Sequence, residues 1–587
     1  MIGGSEFNAR SLPASEVASW FVPPETHFVP LLSRDHTVMV GPRGSGKTTL
    51  LKMLTINALE NWDAPEAVEY INKIHFNAAL VPGDRLWGQQ VSEANEKASG
   101  LGEKIFVAHT VRALLRAMKD VTVASELSTI TSTSHLHANM GVENEGVLAD
   151  TLAETYGLSI RLRSLLGLIF IFDHILANTE RLESSRVFET QNLSGLLSAT
   201  ISAFNELAGT PDRQWALLFD ELEIAPEGIQ SLLMSLIRSS DQRIIFKLAL
   251  APYTPYVKQS RPDAPHIKHD YNVVSLTYPN KEDSRIFSQQ IAEKVFSSSA
   301  NADVRLLNVF GSSAFRVNYN KGEKLPREFL SLAHKDESFA EHIKITGLTK
   351  RNLKNENERA QHIRKISPIV KTRDYYLSSF HNETAKRHRS RKSHDLYTGY
   401  PTILEVADGN PRALLTMLVP MARAVRYVTE IGRPGLVPRN LQADAVKRAE
   451  FLQASLLNVI PVEIEGNEKK GLLGFIDDIG RSLQARLISG PFKPDLYCSF
   501  NVDRDVTDKE EAAIGQALNV GAIIYVPHRD ASPDGILKGI RGMRFRLSYS
   551  LSARFRLPLT LGEPLNLSAL LKRAREYDDE QLTFFEK

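Results

Sequence analysis

The stretch Gly41-Pro42-Arg43-Gly44-Ser45-Gly46-Lys47-Thr48-Thr49 matches the pattern G-x-x-x-x-G-K-[ST] without a mismatch. Its flanks agree with it. His36-Thr-Val-Met-Val40 is a short apolar run of strand type. Thr48-Thr-Leu-Leu-Lys-Met-Leu-Thr-Ile-Asn-Ala-Leu59 carries no helix breaker, which predicts one continuous helix. A strand, a glycine turn and a helix N-terminus together make a phosphate cradle, in which backbone N–H groups point at the anion and the helix dipole adds positive potential. Lys47 is then placed to bridge the outer phosphates and the Thr48 hydroxyl to hold Mg²⁺, with Gly41, Pro42, Arg43, Gly44, Ser45, Gly46 and Thr49 completing the loop. The expected ligand is a nucleoside triphosphate, ATP, with Mg²⁺.

Such a site needs a carboxylate at the end of a neighbouring buried strand. Trp215-Ala-Leu-Leu-Phe219 is apolar throughout, as a strand buried on both faces should be, and Asp220-Glu221 follow it. Asp220 is the candidate metal ligand beside Thr48, and Glu221 the candidate general base that polarises the attacking water. Glu227–Arg238 has helical periodicity, Arg243–Ala251 reads as the next strand, and Asp270–Tyr278 as the last strand of the sheet, before a helix from Lys281. Tyr253 and Thr254 are the polar residues that end the Arg243–Ala251 strand. Lys47 and Asp220 are separated by roughly 170 residues, far more than a βαβ crossover needs. Residues from about 83 to 205 are therefore expected to form a largely helical insertion, including Val107–Met118 and Ser194–Leu207.

Composition sets the bounds. At 587 residues the chain is too long for one core. The balance of 71 Lys and Arg against 69 Asp and Glu leaves no global field, so any nucleic-acid footprint must be local. A lone cysteine, Cys498, excludes disulfides within the chain and cysteine-based zinc clusters, and suits a reducing cytoplasm. The polar start carries no secretory signal. The most apolar run, Leu165–Phe172, is far shorter than the roughly 20 residues that span a bilayer, and it reads as a buried core segment; no membrane partner is expected.

Asp408-Gly409-Asn410-Pro411-Arg412-Ala-Leu-Leu-Thr-Met-Leu418 opens an apolar helix. It resembles the lid motif G-x-P-R-x-L-L of AAA+ ATPases, especially those of the origin-recognition and initiator type and their STAND relatives. That resemblance implies an α/β P-loop NTPase core with a parallel sheet, a helical lid and a C-terminal winged-helix domain. It also implies that Arg412 reaches the γ-phosphate from the lid, and that a neighbouring copy in a homo-oligomer completes the site with an arginine, for which Arg261 is the candidate ahead of Arg238 and Arg243. Initiator-type ATPases with large insertions are similar to bacterial anti-phage defence ATPases, which implies a sensing role and a separate effector protein. The alternatives are an ATPase of the ABC and OLD type, resembling this chain in Asp220-Glu-Leu-Glu-Ile-Ala-Pro226 and faintly in Asn192–Leu197, a replication initiator, and an ATP-gated scaffold. The expected division is a core over 1–280, a lid with a basic insertion (about 320–400) over 281–458, and a winged-helix-like domain over 459–587.

Two regions are candidates for DNA contact. Ile343–Ser393 is strongly basic and includes Arg387, Arg389 and Arg391, opposed within the stretch only by Glu356, Glu358, Asp374 and Glu383. It reads either as a phosphate-backbone contact or as a solvated charged loop. Near the C-terminus, Gly471–Gly480 reads as a helix, Thr507–Leu518 as a helix opened by a capping box, and Ala522–Val526 as a strand. Gly542–Tyr549 and Ala553–Leu557 alternate polar and apolar residues. Folded as a hairpin wing they would put Arg544, Arg546, Arg554 and Arg556 on one face, for DNA phosphate contact or as the outer face of an ordinary hairpin.

Overall fold

The computed structural model describes residues 8–574, apart from 84, 124–131, 239–240, 255–266, 268, 279–280, 298–304, 316–318, 320–322, 350–355, 388–389, 427–434, 465–470, 528–536 and 538. Its centre is a five-stranded parallel sheet of β1 (Thr37–Val40), β2 (Phe76–Val81), β3 (Gln214–Phe219), β4 (Ile244–Leu250) and β5 (Asn272–Ser275), in the order β2-β3-β4-β1-β5. β1 and β4 are buried along their whole length, which is why neither alternates apolar with polar residues; the one charged residue in them, Lys247, is buried and donates to the Ser33 carbonyl at 3.1 Å. Val38 lies level with Leu248 on one side and Val273 on the other. Because β4 sits between β1 and β3, the loop that leaves β1 and the acidic turn that leaves β3 emerge at the same edge, the carboxyl ends of the strands where open α/β sheets bind ligands.

The helix after β1 is shorter than its sequence predicts. It ends at Lys52, and a separate turn covers Ile56–Leu59. Thr55 causes the break: its hydroxyl donates to the Lys52 carbonyl at 2.7 Å, and its backbone is extended, the local competition with helical bonding that Ser and Thr offer. Between β2 and β3 lie helices Leu101–Val121, Val142–Thr155, Leu165–Ala177 and Leu193–Leu207. The first packs on the sheet, with Phe106 against Phe219 at 5.9 Å between ring centroids. The run expected to be a buried core segment lies in the helix Leu165–Ala177: Leu165, Leu168, Ile169 and Phe172 are buried, but Phe170 is 58 % exposed. Among the described residues no helix is long and apolar enough to cross a membrane.

One hydrophobic core runs from Ala9 to Leu276 and includes the insertion; a second runs from Phe287 to Leu571. The lid helices and the C-terminal segment thus share a core. Within it, the basic stretch 343–393 is not a uniform charged surface. Arg359 pairs with Glu356 and Lys365 with Asp495, while Lys371 bonds to Glu328. Arg373 is fully buried, bonded to Asp336 and to the carbonyls of Leu487 (2.8 Å) and Gly490 (2.9 Å). Asp336, Glu328 and Asp495 come from outside the stretch, so counting charges inside it overstated its excess.

The C-terminal sheet comprises β6 (Tyr497–Asn501), β7 (Ile523–Val526), β8 (Arg544–Leu547) and β9 (Glu563–Asn566), in the order β7-β8-β6-β9. Helix Asp508–Asn519 carries the capping box between Thr507 and Glu510. The hairpin expected from 542–557 does not form. β6 occupies the edge of β8 that a returning strand would need, and Ser552–Phe555 is a helical turn. The four arginines are drawn inward instead. Arg544 bonds to Ser499 Oγ at 2.9 Å, and Arg554 to Asp477 and Glu450. The Arg556 guanidinium lies over the Tyr376 ring. Arg546 forms a two-pronged pair with Asp408 at 2.7 and 2.8 Å, with both side chains almost completely buried.

That last pair ties β8 to the residue immediately before Gly409-Asn410-Pro411-Arg412. Removing one partner strands a buried charge, which costs about 3–5 kcal/mol. Arg546→Met should therefore lower the denaturation free energy by about that amount in urea titrations. Asp408→Asn in the same chain should restore a large part of it, because the stranded carboxylate is then gone.

Candidate functional site

The loop 41–46 is shaped by Gly44 and Gly46, both at positive φ (84° and 99°). Gly44 is also a packing site: a Cβ there would lie 2.9 Å from Asn410 Oδ1 and 3.1 Å from Arg412 Cβ, so only glycine allows this close approach. Lys47 is buried and donates to the Gly41 carbonyl at 2.6 Å, with Glu223 3.6 Å away. The Thr48 hydroxyl donates to Asp220 Oδ2 at 2.7 Å. Two residues 172 positions apart are thereby joined, as the adjacency of β1, β4 and β3 requires.

Asp220 is 5 % exposed. Burial pushes its carboxyl up to about 6, against the pull of the Thr48 hydrogen bond, and the neighbouring Glu221 adds to the rise. Glu221 itself sits in the left-handed region (φ 47°), a conformation that costs a non-glycine residue about 1–3 kcal/mol. It faces Gly83 across the turn, where a Cβ would lie 2.4 Å from the Asp220 carbonyl oxygen. Its carboxylate is 3.2 Å from the Arg10 guanidinium. Glu221 N–H also donates to Asp220 Oδ1 at 3.0 Å, so the turn that orients Glu221 is fixed by its own neighbour.

The lid motif closes the site from the opposite side. Asn410 caps the helix Pro411–Arg426 by accepting from the backbone N–H groups of Arg412 (3.1 Å) and Ala413 (3.2 Å). Its amide donates to the Arg43 carbonyl at 3.1 Å. Arg412 reaches Asn8 Oδ1 at 3.4 Å. One cavity is lined by Arg10, Lys47, Thr48, Glu221, Glu223 and Arg412 among others. A second, largely apolar cavity shares Gly46, Thr49, Pro411 and Leu415 with it and is walled by Trp20, His27, Tyr278 and Phe287. His27 and Tyr278 meet edge to face at 4.8 Å.

Lys47, Thr48, Glu221 and Arg412 thus line one cavity, and the buried Asp220 is joined to it through the Thr48 hydroxyl. Tyr253 and Thr254 do not line it. The Tyr253 backbone is clasped by the Asn519 side chain in both directions, at 2.8 and 2.9 Å, and the Thr254 hydroxyl turns back to Ala251 O. Arg238 pairs with Asp270 and Arg243 with Asp241. Arg261 and Arg389 lie outside the described residues, as do the side chains of Arg387 and Arg391. Sequence reasoning missed Asn8, Arg10, Glu223 and the aromatic wall. Only the run Trp20-Phe21-Val22-Pro23-Pro24, apolar and just upstream of the loop, hinted at that wall.

A divalent cation fits what is present. Two hard oxygen donors, the Thr48 hydroxyl and the Asp220 carboxylate, lie together, and the carboxylate is buried without a cation bonded to it in the described contacts. Raising the Asp220 carboxyl from 3.8 to about 6 means that the folded chain binds more protons than the unfolded chain between those pH values. Stability therefore falls as pH rises through that window, and the full cost, about 3 kcal/mol, is present at pH 8. Asp220→Asn should raise the metal-free unfolding midpoint at pH 8, with the gain shrinking toward pH 4, as followed by thermal melts across pH.

A family model described as ORC-CDC6-like matches residues 5–567. Neither the curated proteins nor the solved structures compared with the chain gave a significant match. The match spans nearly the whole chain, insertion included, and it sets aside the ABC and OLD alternative. The loop, the acidic turn and the Asn410–Arg412 cap therefore belong to an AAA+ ATPase of replication-initiator type, and the chain is a member of the ORC-CDC6-like family.

Proposed function

We propose that the protein is an ATP·Mg²⁺-binding and -hydrolysing switch whose nucleotide state sets how the lid and the C-terminal domain sit on the core. The observation that carries this reading is the convergence of Lys47, Thr48, Glu221 and Arg412 on one cavity, with Asp220 bonded to Thr48 beneath it and an apolar, aromatic-walled cavity adjoining it. The triphosphate occupies the first and the base the second. Lys47 exchanges its bond to the Gly41 carbonyl for the outer phosphates. Thr48 and Asp220 would hold Mg²⁺, which when bound would neutralise phosphate charge. Glu221 accepts the proton of the attacking water, and Arg412 contacts the γ-phosphate from the lid.

The contacts around Arg43 explain how such a site transmits its state. The Arg43 carbonyl is held by the lid's Asn410, and its N–H donates to the Asn519 carbonyl of the C-terminal domain at 2.8 Å. A phosphate that reshapes the loop acts on both. DNA and further copies of the same chain are the partners this reading carries from the family relation; Arg544, Arg546 and Arg554 are engaged internally and are not part of it.

Lys47→Ala is expected to abolish binding of a fluorescent ATP analogue. Glu221→Gln should keep ATP affinity within about threefold while lowering turnover by about 100-fold or more. Turnover of Glu221→Gln equal to the parent would remove Glu221 as the base. ATP-dependent, salt-sensitive DNA retention in gel shifts would support the partner assignment, and its absence would confine the switch to protein partners.

A further inference from the structure

The chain before the first core helix does not simply lead into the domain; it crosses the phosphate cavity. Lys52, at the end of the P-loop helix, donates to the carbonyls of Ala9 (2.6 Å) and Leu12 (2.8 Å), which fixes the backbone of residues 8–12 as a strap over the loop. From this strap, Asn8 takes a bond from Arg412 and Arg10 pairs with Glu221 at 3.2 Å. Asn8, Ala9 and Arg10 line the same cavity as Lys47 and Thr48. Glu221 and Glu223 bring negative charge to that cavity, and Lys47, Arg412 and Arg10 bring positive charge.

We propose that Arg10 is a γ-phosphate-recognising residue, supplied by the chain's own N-terminal strap. The inference rests on the reading of this cavity as an ATP site. The Arg10 guanidinium bonds to one carboxylate oxygen of Glu221. A terminal phosphate entering between Lys47 and Arg412 carries more charge than Glu221 and offers the fork of oxygens that a guanidinium fits. On its arrival Arg10 turns from Glu221 to the phosphate, and the Glu221 carboxylate is left to a water. Nucleoside diphosphate lacks the terminal group and leaves the Arg10–Glu221 pair in place. Because the strap is pinned by Lys52 of the same chain, this arginine acts without a neighbouring copy.

The test uses the full chain with Mg²⁺ and compares ADP with a non-hydrolysable ATP analogue in competition against a fluorescent nucleotide. Arg10→Ala is expected to weaken the ATP analogue about tenfold or more while leaving ADP affinity within about twofold, and Arg10→Lys to recover part of the difference. The preference should not change on diluting the protein. Loss of ADP and analogue affinity together, or of neither, overturns the proposal. A half-exposed ion pair contributes little to folding, so an unfolding midpoint close to the parent's is expected for Arg10→Ala; should that variant unfold, the ADP-to-analogue ratio of Arg10→Lys decides instead. If the parent binds neither nucleotide and Lys47→Ala changes nothing, the ATP-site reading itself falls, an outcome distinct from a parent that binds both with a ratio blind to Arg10.

Discussion

Arg43 is where the molecule is joined. Its carbonyl accepts from Asn410, before the helix Pro411–Arg426, and its N–H donates to the Asn519 carbonyl in the C-terminal segment. Asn519 also clasps the Tyr253 backbone at the end of β4. A phosphate-binding loop is normally free to offer its amides to a ligand; here one peptide of that loop is also a structural joint between three regions. The constraint explains the glycine at 44, where any side chain would drive Asn410 and Arg412 away. It also explains why Asp408, two residues before Asn410, is anchored by a buried arginine: the lid motif must stay in register with the loop it touches.

The site is charged in a way that folding alone would not favour. Asp220 is buried and its carboxyl is raised, Glu221 has a left-handed backbone, and Lys47 is buried against a backbone carbonyl. Each costs free energy, and all three lie at the carboxyl ends of β1 and β3. Burial strengthens electrostatic interactions there because water no longer screens them. Local strain gathered in one cavity is what a binding site with preset geometry looks like.

Local signals were legible where they did not depend on distant partners. The P-loop, the apolar runs of β1 and β3, the strand β4 and the Thr507–Glu510 capping box are written in short windows, and the structure realises them. Signals that depend on a distant partner were misread. The alternation in 542–557 suggested a hairpin, but β6 supplies the neighbouring strand and Asp477, Glu450 and Asp408 take the arginines. The basic excess of 343–393 shrank once Asp336, Glu328 and Asp495 arrived from elsewhere.

The sequence by itself determined that a phosphate loop begins a parallel α/β core and that an acidic pair must lie beside it, because the chemistry demands those residues in those local patterns. Only the tertiary structure decided what else reaches the cavity: the strap with Arg10, the aromatic wall at Trp20 and Tyr278, and the joint at Arg43 and Asn519. Those contacts span hundreds of residues, and no periodicity records them. They exist because the order β2-β3-β4-β1-β5 brings the ends of β1 and β3 to one edge, and because the two cores meet there.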